Sequence, residues 1–191
     1  ANNPGIHGYI TADDPNRLIS YDPATATYTY KFYEGDATLT AVPNANYYVK
    51  GWYDRNNVRI SETSSYTFVV DSNNTYFVRF KPARTVFVSG GGLALRNAVE
   101  TAENGDTLVV AAGTYGGDID ISGKQIKLFG VKPDDPGVVE KTIIDCSGGS
   151  RGFIFSGGET SNTVLDGFTI INGGGDANDV VRGGAIFINT N

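Results

Sequence analysis

Gln125-Ile126-Lys127-Leu128-Phe129, Thr142-Ile143-Ile144-Asp145-Cys146 and Gly152-Phe153-Ile154-Phe155-Ser156 are three short apolar segments in a row, set apart by Gly, Pro, Asp and Ser. Short apolar runs bounded by such turn residues read as strands. The same three-part order precedes and follows them. Upstream stand Thr85-Val86-Phe87-Val88-Ser89, Thr107-Leu108-Val109-Val110 and Asp118-Ile119-Asp120-Ile121-Ser122. Downstream stand Thr163-Val164-Leu165-Asp166, Phe168-Thr169-Ile170-Ile171 and Gly184-Ala185-Ile186-Phe187-Ile188. Segments of the second kind start at 107 and 142, which is 35 residues apart, and those of the third kind at 118, 152 and 184, which is 34 and then 32. A self-similar period of this size marks a solenoid.

Strands this short, with turns this rich in glycine, exclude leucine-rich and helical repeats. One coil cannot bury its own apolar face, so coils must stack into a continuous core. Residues 85–191 therefore read as the first coils of a right-handed parallel β-helix, cut short at position 191. Two departures from regularity stand out. Between the first two strands, residues 93–103 have helical spacing, with Leu95, Ala98, Val99 and Ala102 on one face and Asn104-Gly105 as the stop. Such a helix would cap the open end of the solenoid and hide its unpaired edge. Residues 131–141, with Lys132-Pro133-Asp134-Asp135-Pro136-Gly137, form a polar loop between two strands of one coil.

Composition splits the chain in two. Residues 1–84 hold ten of the eleven tyrosines, the only tryptophan and four of the 25 glycines. They balance eight Lys/Arg against eight Asp/Glu, whereas residues 85–191 set seven against thirteen and so carry the whole net charge of −6. The expected domains are 1–84 and 85–191, meeting near Pro82-Ala83-Arg84. An acidic chain without a Lys/Arg cluster lacks the basic footprint that nucleic acid requires. No apolar run is long enough to cross a bilayer, so the chain is not expected to be embedded in a membrane. It contains no methionine, even at position 1, and opens on no basic-then-apolar leader. The expectation is a fragment of a longer secreted or cell-surface protein.

Residues 1–84 show no helical period. Candidate strands at 27–33, 38–42, 48–53, 66–70 and 76–81 are separated by turns rich in Asn, Asp and Pro. Four blocks here carry a resemblance: Leu39-Thr40-Ala41-Val42-Pro43, then Tyr47-Tyr48-Val49-Lys50-Gly51-Trp52, then Tyr66-Thr67-Phe68, then Asn74-Thr75-Tyr76-Phe77-Val78-Arg79-Phe80. Together they resemble the bacterial surface repeat typified by the internalin B repeat, although Asn46 stands where that pattern usually has Gly. The resemblance implies a small β-grasp-like module that serves as spacer or adhesive element.

The second half resembles the pectin-lyase-like β-helices. Ala98-Val99 and Ala102, then Gly105-Asp106-Thr107-Leu108-Val109-Val110-Ala111-Ala112-Gly113-Thr114-Tyr115, match the run that follows a capping helix in many of them. Thr163 to Asn172 matches a later coil. Gly183-Gly184-Ala185-Ile186-Phe187 resembles coils of polymorphic outer-membrane proteins and related adhesins. The resemblance implies an all-β fold, and it implies little about function, because one fold hosts lyases, hydrolases and adhesins alike.

The only histidine, His7, lies in the opening segment, which removes Ser-His-Asp and Cys-His schemes and a zinc cluster. Cys146, the only cysteine, sits beside Ile143 and Ile144 and reads as a small buried residue. Candidate ligand contacts are the aromatic pair Trp52 and Tyr53 and the carboxylates Asp118 and Asp120. Trp52 can stack on a sugar face or fill the core of a small β domain. Asp118 and Asp120, two apart on one strand, can chelate Ca²⁺ if further oxygens converge, or can simply keep the outer face soluble. Asp176-Ala177-Asn178-Asp179 lies in a glycine-rich loop and reads either as a calcium-binding loop or as a mobile connection. No catalytic residue is assigned. The expected function is non-catalytic display, adhesion or glycan contact, with a polysaccharide or host glycan as partner. The alternative is the front end of a β-helical polysaccharide lyase or glycoside hydrolase whose active site lies beyond Asn191.

Overall fold

The structure, a computed structural model, describes residues 7–13, 18–22, 27–32, 35–71, 73–147, 151–174 and 184–189. The chain is all-β apart from two short helices among these residues, and it divides into two compact units, Ala1–Ala83 and Arg84–Asn191.

The first unit comprises β1 (Gly8–Ala12), β2 (Leu18–Asp22), β3 (Thr27–Tyr30), β4 (Gly35–Pro43), β5 (Tyr47–Tyr53), β6 (Arg59–Ser61), β7 (Ser65–Val70) and β8 (Phe77–Pro82). Strands β1-β4-β7 and β6-β5-β8 form two antiparallel sheets, and β2 pairs with β3. Alternation sorts the faces. Ala37, Leu39 and Ala41 of β4 turn inward, and Tyr66 and Phe68 of β7 pack on the same core. On the opposite face Thr38 bonds Thr67 at 2.8 Å and Thr40 bonds Ser65 at 3.0 Å. Strand β5 breaks the alternation, because Gly51, Trp52 and Tyr53 are all buried. A bulge between Val49 and Gly51 makes this possible. Gly51 sits there at φ +147°, where a Cβ would lie 2.8 Å from the Ser61 carbonyl oxygen. Strands β1, β2 and β6 have no counterpart among the segments expected from sequence. They are three to five residues long, and their pairing with β4, β3 and β5 respectively defines them.

The second unit runs β9 (Thr85–Val88), α1 (Ala94–Thr101), β10 (Thr107–Val110), β11 (Gly113–Gly116), β12 (Ile119–Asp120), β13 (Lys127–Gly130), α2 (Pro136–Val139), β14 (Thr142–Asp145), β15 (Phe153–Phe155), β16 (Val164–Asp166), β17 (Thr169–Ile171) and β18 (Ile186–Ile188). These strands form three sheets, β9-β10-β13-β16, β11-β14-β17 and β12-β15-β18, and every pair in them is parallel. Register sets apolar side chains in columns. Val86, Leu108, Leu128 and Leu165 stand in one, Tyr115, Ile144 and Ile170 in a second, and Ile119, Phe153 and Ile186 in a third. Leu108, Leu128, Tyr115, Ile144, Ile119 and Phe153 are fully buried in one cluster.

This pairing corrects the alignment read from sequence. Thr107–Val110 does not match residues 142–146, because it lies between β9 and β13 in the first sheet. The strand that pairs with β14 is β11, whose Gly-Thr-Tyr-Gly sequence buries only Tyr115. One inward side chain between glycines gives no alternation to detect. Strand β9 is followed not by two further strands but by a single parallel bridge, Gly92 to Tyr115, and then by α1.

Helix α1 lies against β9, β10, β11 and β12 and buries Leu95 and Val99. Lys124 Nζ donates to the carbonyls of Val99 at 2.6 Å and Glu100 at 2.8 Å, which satisfies acceptors the helix end leaves open. Asp106, fully buried, receives Arg84 Nε at 3.1 Å and Nη2 at 2.5 Å, and the Glu103 amide at 2.9 Å. A buried carboxylate is tolerated when paired in this way, and it joins the helix exit to the start of β10. The polar loop contains α2, capped by Asp135, whose Oδ1 accepts from the Gly137 amide at 3.1 Å. The hydroxyls of Thr142 and Thr169 donate to Val138 at 3.0 Å and Val139 at 2.9 Å, which holds the loop to β14 and β17.

Leu108 has a neighbour in its column on each side, so truncation leaves a cavity between two rungs. Leu108→Ala should cost about 2–5 kcal/mol. Phe87→Ala, at a residue 79% exposed, should stay within about 0.5 kcal/mol. Urea denaturation followed by circular dichroism measures both, and equal losses would contradict the column.

Candidate functional site

Strand β5 positions the aromatic candidates. Trp52 is fully buried, its Nε1 donates to the Thr63 carbonyl at 3.1 Å, and its ring lies 6.2 Å from that of Tyr66. It offers no open face to a ligand. Tyr53 is 7% exposed, with the Arg79 guanidinium 4.3 Å from its ring centroid. Arg79 also donates to the Asn57 side chain. Asn57 has φ +67°, and Asp54 Oδ1 shapes the turn by accepting the amides of Asn56 at 2.9 Å and Val58 at 2.8 Å. His7 is exposed and stacks on Tyr47 at 4.3 Å.

The carboxylate candidates lie in the turns of the second unit. Asp118 has φ +54° and precedes β12, so it does not share a strand face with Asp120. Its Oδ1 accepts from the Arg151 amide at 3.0 Å, and its own amide donates to the Arg151 carbonyl at 2.5 Å. Asp120 Oδ1 accepts from the Ser122 amide at 2.8 Å. Both are exposed; Asp120 closes its own turn, whereas Asp118 bonds backbone 33 residues further along the chain. Among the described residues no group of three or more His, Cys, Asp or Glu is placed to hold a metal ion. Asp176-Ala177-Asn178-Asp179 lies outside the described residues.

Two further carboxylates, Asp145 and Glu159, are more strongly held. Asp145 Oδ1 accepts from Asn172 Nδ2 at 2.8 Å, Ser147 Oγ at 2.7 Å and the Ser147 amide at 3.0 Å. The Asn172 amide first, and then Ser147, hold this carboxyl below its ordinary range. Burial pushes Glu159 upward, but the backbone amides it accepts, those of Gly123 at 2.8 Å and Gly157 at 3.1 Å among them, outweigh burial and set it low. Cys146 is buried, and its thiol is pushed up by burial and then by the charges of Asp145 and Asp118. A thiol so placed is inert.

The outer face of the first sheet carries a feature that sequence reasoning missed. Phe87, Val109 and Phe129 stand in one column on β9, β10 and β13, with Asp166 of β16 next in line. Phe87 is exposed, while Val109 and Phe129 are half-buried. The signal in the sequence is that Val86-Phe87-Val88 and Leu108-Val109-Val110 are apolar at successive positions, whereas a strand points alternate side chains to opposite faces.

Depressed carboxylates give a defined pH dependence. The stability contributed by Asp145 and Glu159 is complete above the unfolded carboxyl range, about pH 4, and is lost as pH falls through their lower folded values. Replacing both, as Asp145→Asn with Glu159→Gln, should flatten the acid limb of a stability–pH profile and leave the neutral slope unchanged. Denaturation midpoints across the acid range check this.

A family model described as a divergent InlB B-repeat domain matches residues 22–84. Neither the comparison with curated proteins nor that with solved structures returns a match. No helix among the described residues is long and apolar enough to cross a membrane. The similarity therefore rests in the first unit, which resembles a divergent InlB B-repeat domain over residues 22–84.

Proposed function

We propose that the chain is a non-catalytic part of a secreted or surface-displayed bacterial protein. In this reading residues 1–84 are a surface-repeat module, and residues 85–191 are the first coils of a right-handed parallel β-helix closed at one end by α1. The assembly serves display, adhesion or glycan contact. The observation that carries the reading is the match of residues 22–84 to a divergent InlB B-repeat domain. The in-register parallel sheets of the second unit support the β-helical part, since a column such as Ile119, Phe153 and Ile186 is what stacked coils produce.

The acidic side chains support the non-catalytic part. A hydrolase of this kind needs two carboxyl groups facing each other across a cleft, one free to give a proton and one free to attack or to activate water. Asp120 and Asp145 accept amides of their own turns, and Asp118 and Glu159 accept backbone amides 33 and 36 residues away in the chain. Trp52 and Tyr53 act as core, so glycan contact falls to exposed faces.

A glycan array probed with the full chain, with bound glycans then assayed for new reducing ends or unsaturated sugars, tests the proposal. Binding without turnover is the expected result. Release of cleaved sugar would establish the front part of a lyase or hydrolase instead. An array and a cell-binding assay both without signal would reduce the chain to a spacer and overturn the contact reading.

A further inference from the structure

The sequence contains two Asn-Gly pairs, Asn104-Gly105 and Asn172-Gly173. Asn-Gly is the dipeptide most prone to cyclise, because glycine leaves the following amide nitrogen open to attack. In that reaction the glycine nitrogen bonds to the asparagine Cγ and the Cγ–Nδ2 bond breaks. Nδ2 leaves as ammonia, taking the glycine amide proton. Water then opens the succinimide to an aspartyl or isoaspartyl residue. The step requires the side-chain Cγ to swing onto the backbone nitrogen, so it depends on attaining one attack geometry.

Both pairs are held away from that geometry. Asn104 Oδ1 accepts from the Gln125 amide at 2.9 Å, and the nucleophile itself, the Gly105 amide, donates to the Gln125 carbonyl at 2.7 Å. The second pair lies in an exposed turn, where solvent would otherwise leave it free. There Asn172 has φ +56°, and its Nδ2, the leaving group, donates to Asp145 Oδ1 at 2.8 Å and to Ser147 Oγ at 3.2 Å. These partners sit one coil away in the chain, 27 and 25 residues upstream.

We propose that Asp145 and Ser147 form a clamp that protects Asn172-Gly173 from deamidation, so that stacking of one coil on the next preserves the chemistry of an exposed turn. Conversion would be costly here. A carboxylate at 172 cannot donate to Asp145 and would repel it. An isoaspartyl link would lengthen the backbone beside Gly173, where even a Cβ would come within 2.9 Å of Gly184 and Ala185. Asp145 is thus a positioning residue that acts through Asn172.

The test incubates the full chain at mildly alkaline pH, folded and in urea, and follows both asparagines by peptide mass spectrometry. Conversion in the folded chain should be slower than in urea by about tenfold or more at each site. Asp145→Ala and Ser147→Ala should each raise conversion at Asn172 severalfold and leave Asn104 unchanged. Asp145→Asn, which retains an acceptor oxygen, should keep most of the protection. Equal rates with and without urea would overturn the proposal. So would variants that accelerate both sites alike, or an Asp145→Asn variant as labile as Asp145→Ala. If Asp145→Ala does not fold, Ser147→Ala and Asp145→Asn carry the comparison.

Discussion

The second unit depends on one constraint, which is that apolar side chains of adjacent parallel strands must meet in register. A fully buried Leu or Ile stabilises by about 1.5–3 kcal/mol, but only if neighbours on the paired strands complete its burial. Leu108 lies between Val86 and Leu128, and Tyr115 lies on Ile144. No rung is a core by itself. Parallel pairing at the ordinary strand spacing makes each rung the wall of the next, and a slip of one residue would turn every inward side chain outward. Helix α1 packs against β9, β10, β11 and β12 and adds Leu95 and Val99 to the same core.

Register governs the polar side chains as well. Contacts that look local in space are remote in sequence. Glu159 reaches the Gly123 amide, Asn162 the Gln125 side chain, Thr163 the Lys124 carbonyl and Asn172 the Asp145 carboxylate. Each joins a turn to one 27 to 39 residues earlier in the chain. Asp145 accepts from Asn172 and Ser147, and Glu159 accepts turn amides, and these bonds lower the proton affinity of both carboxylates. A low carboxyl pKa has the same physical cause in a turn as in an active site, which is hydrogen bonding to the charged form.

The first unit solves a different problem with different residues. Its two antiparallel sheets are small, so it relies on large side chains. Trp52, Tyr66, Phe68, Tyr76 and Phe32 touch ring to ring, with centroids between 4.8 and 6.2 Å apart. Such pairs add stability beyond their area. The bulge at Gly51 buries Trp52 and Tyr53 side by side: Trp52, which looked most like a sugar platform, joins this core, and Tyr53 lies beneath the Arg79 guanidinium.

Sequence alone determined the strand character of nearly every element with alternating side chains. It also located the helix at 94–101 through Leu95 and Val99, and placed the change of composition near Arg84. These follow from local periodicity, which a chain cannot hide. Tertiary structure decided which sheet each strand joined. Thr107–Val110 has an inward and an outward side, but nothing in its four residues says which of three faces it forms. Gly113–Gly116 carries no period at all and becomes a strand only because β14 lies beside it. The candidate site followed the same division. Residue type nominated Trp52, Tyr53, Asp118 and Asp120, but burial and hydrogen bonding are properties of neighbours brought from elsewhere in the chain. Only the folded molecule supplies those neighbours.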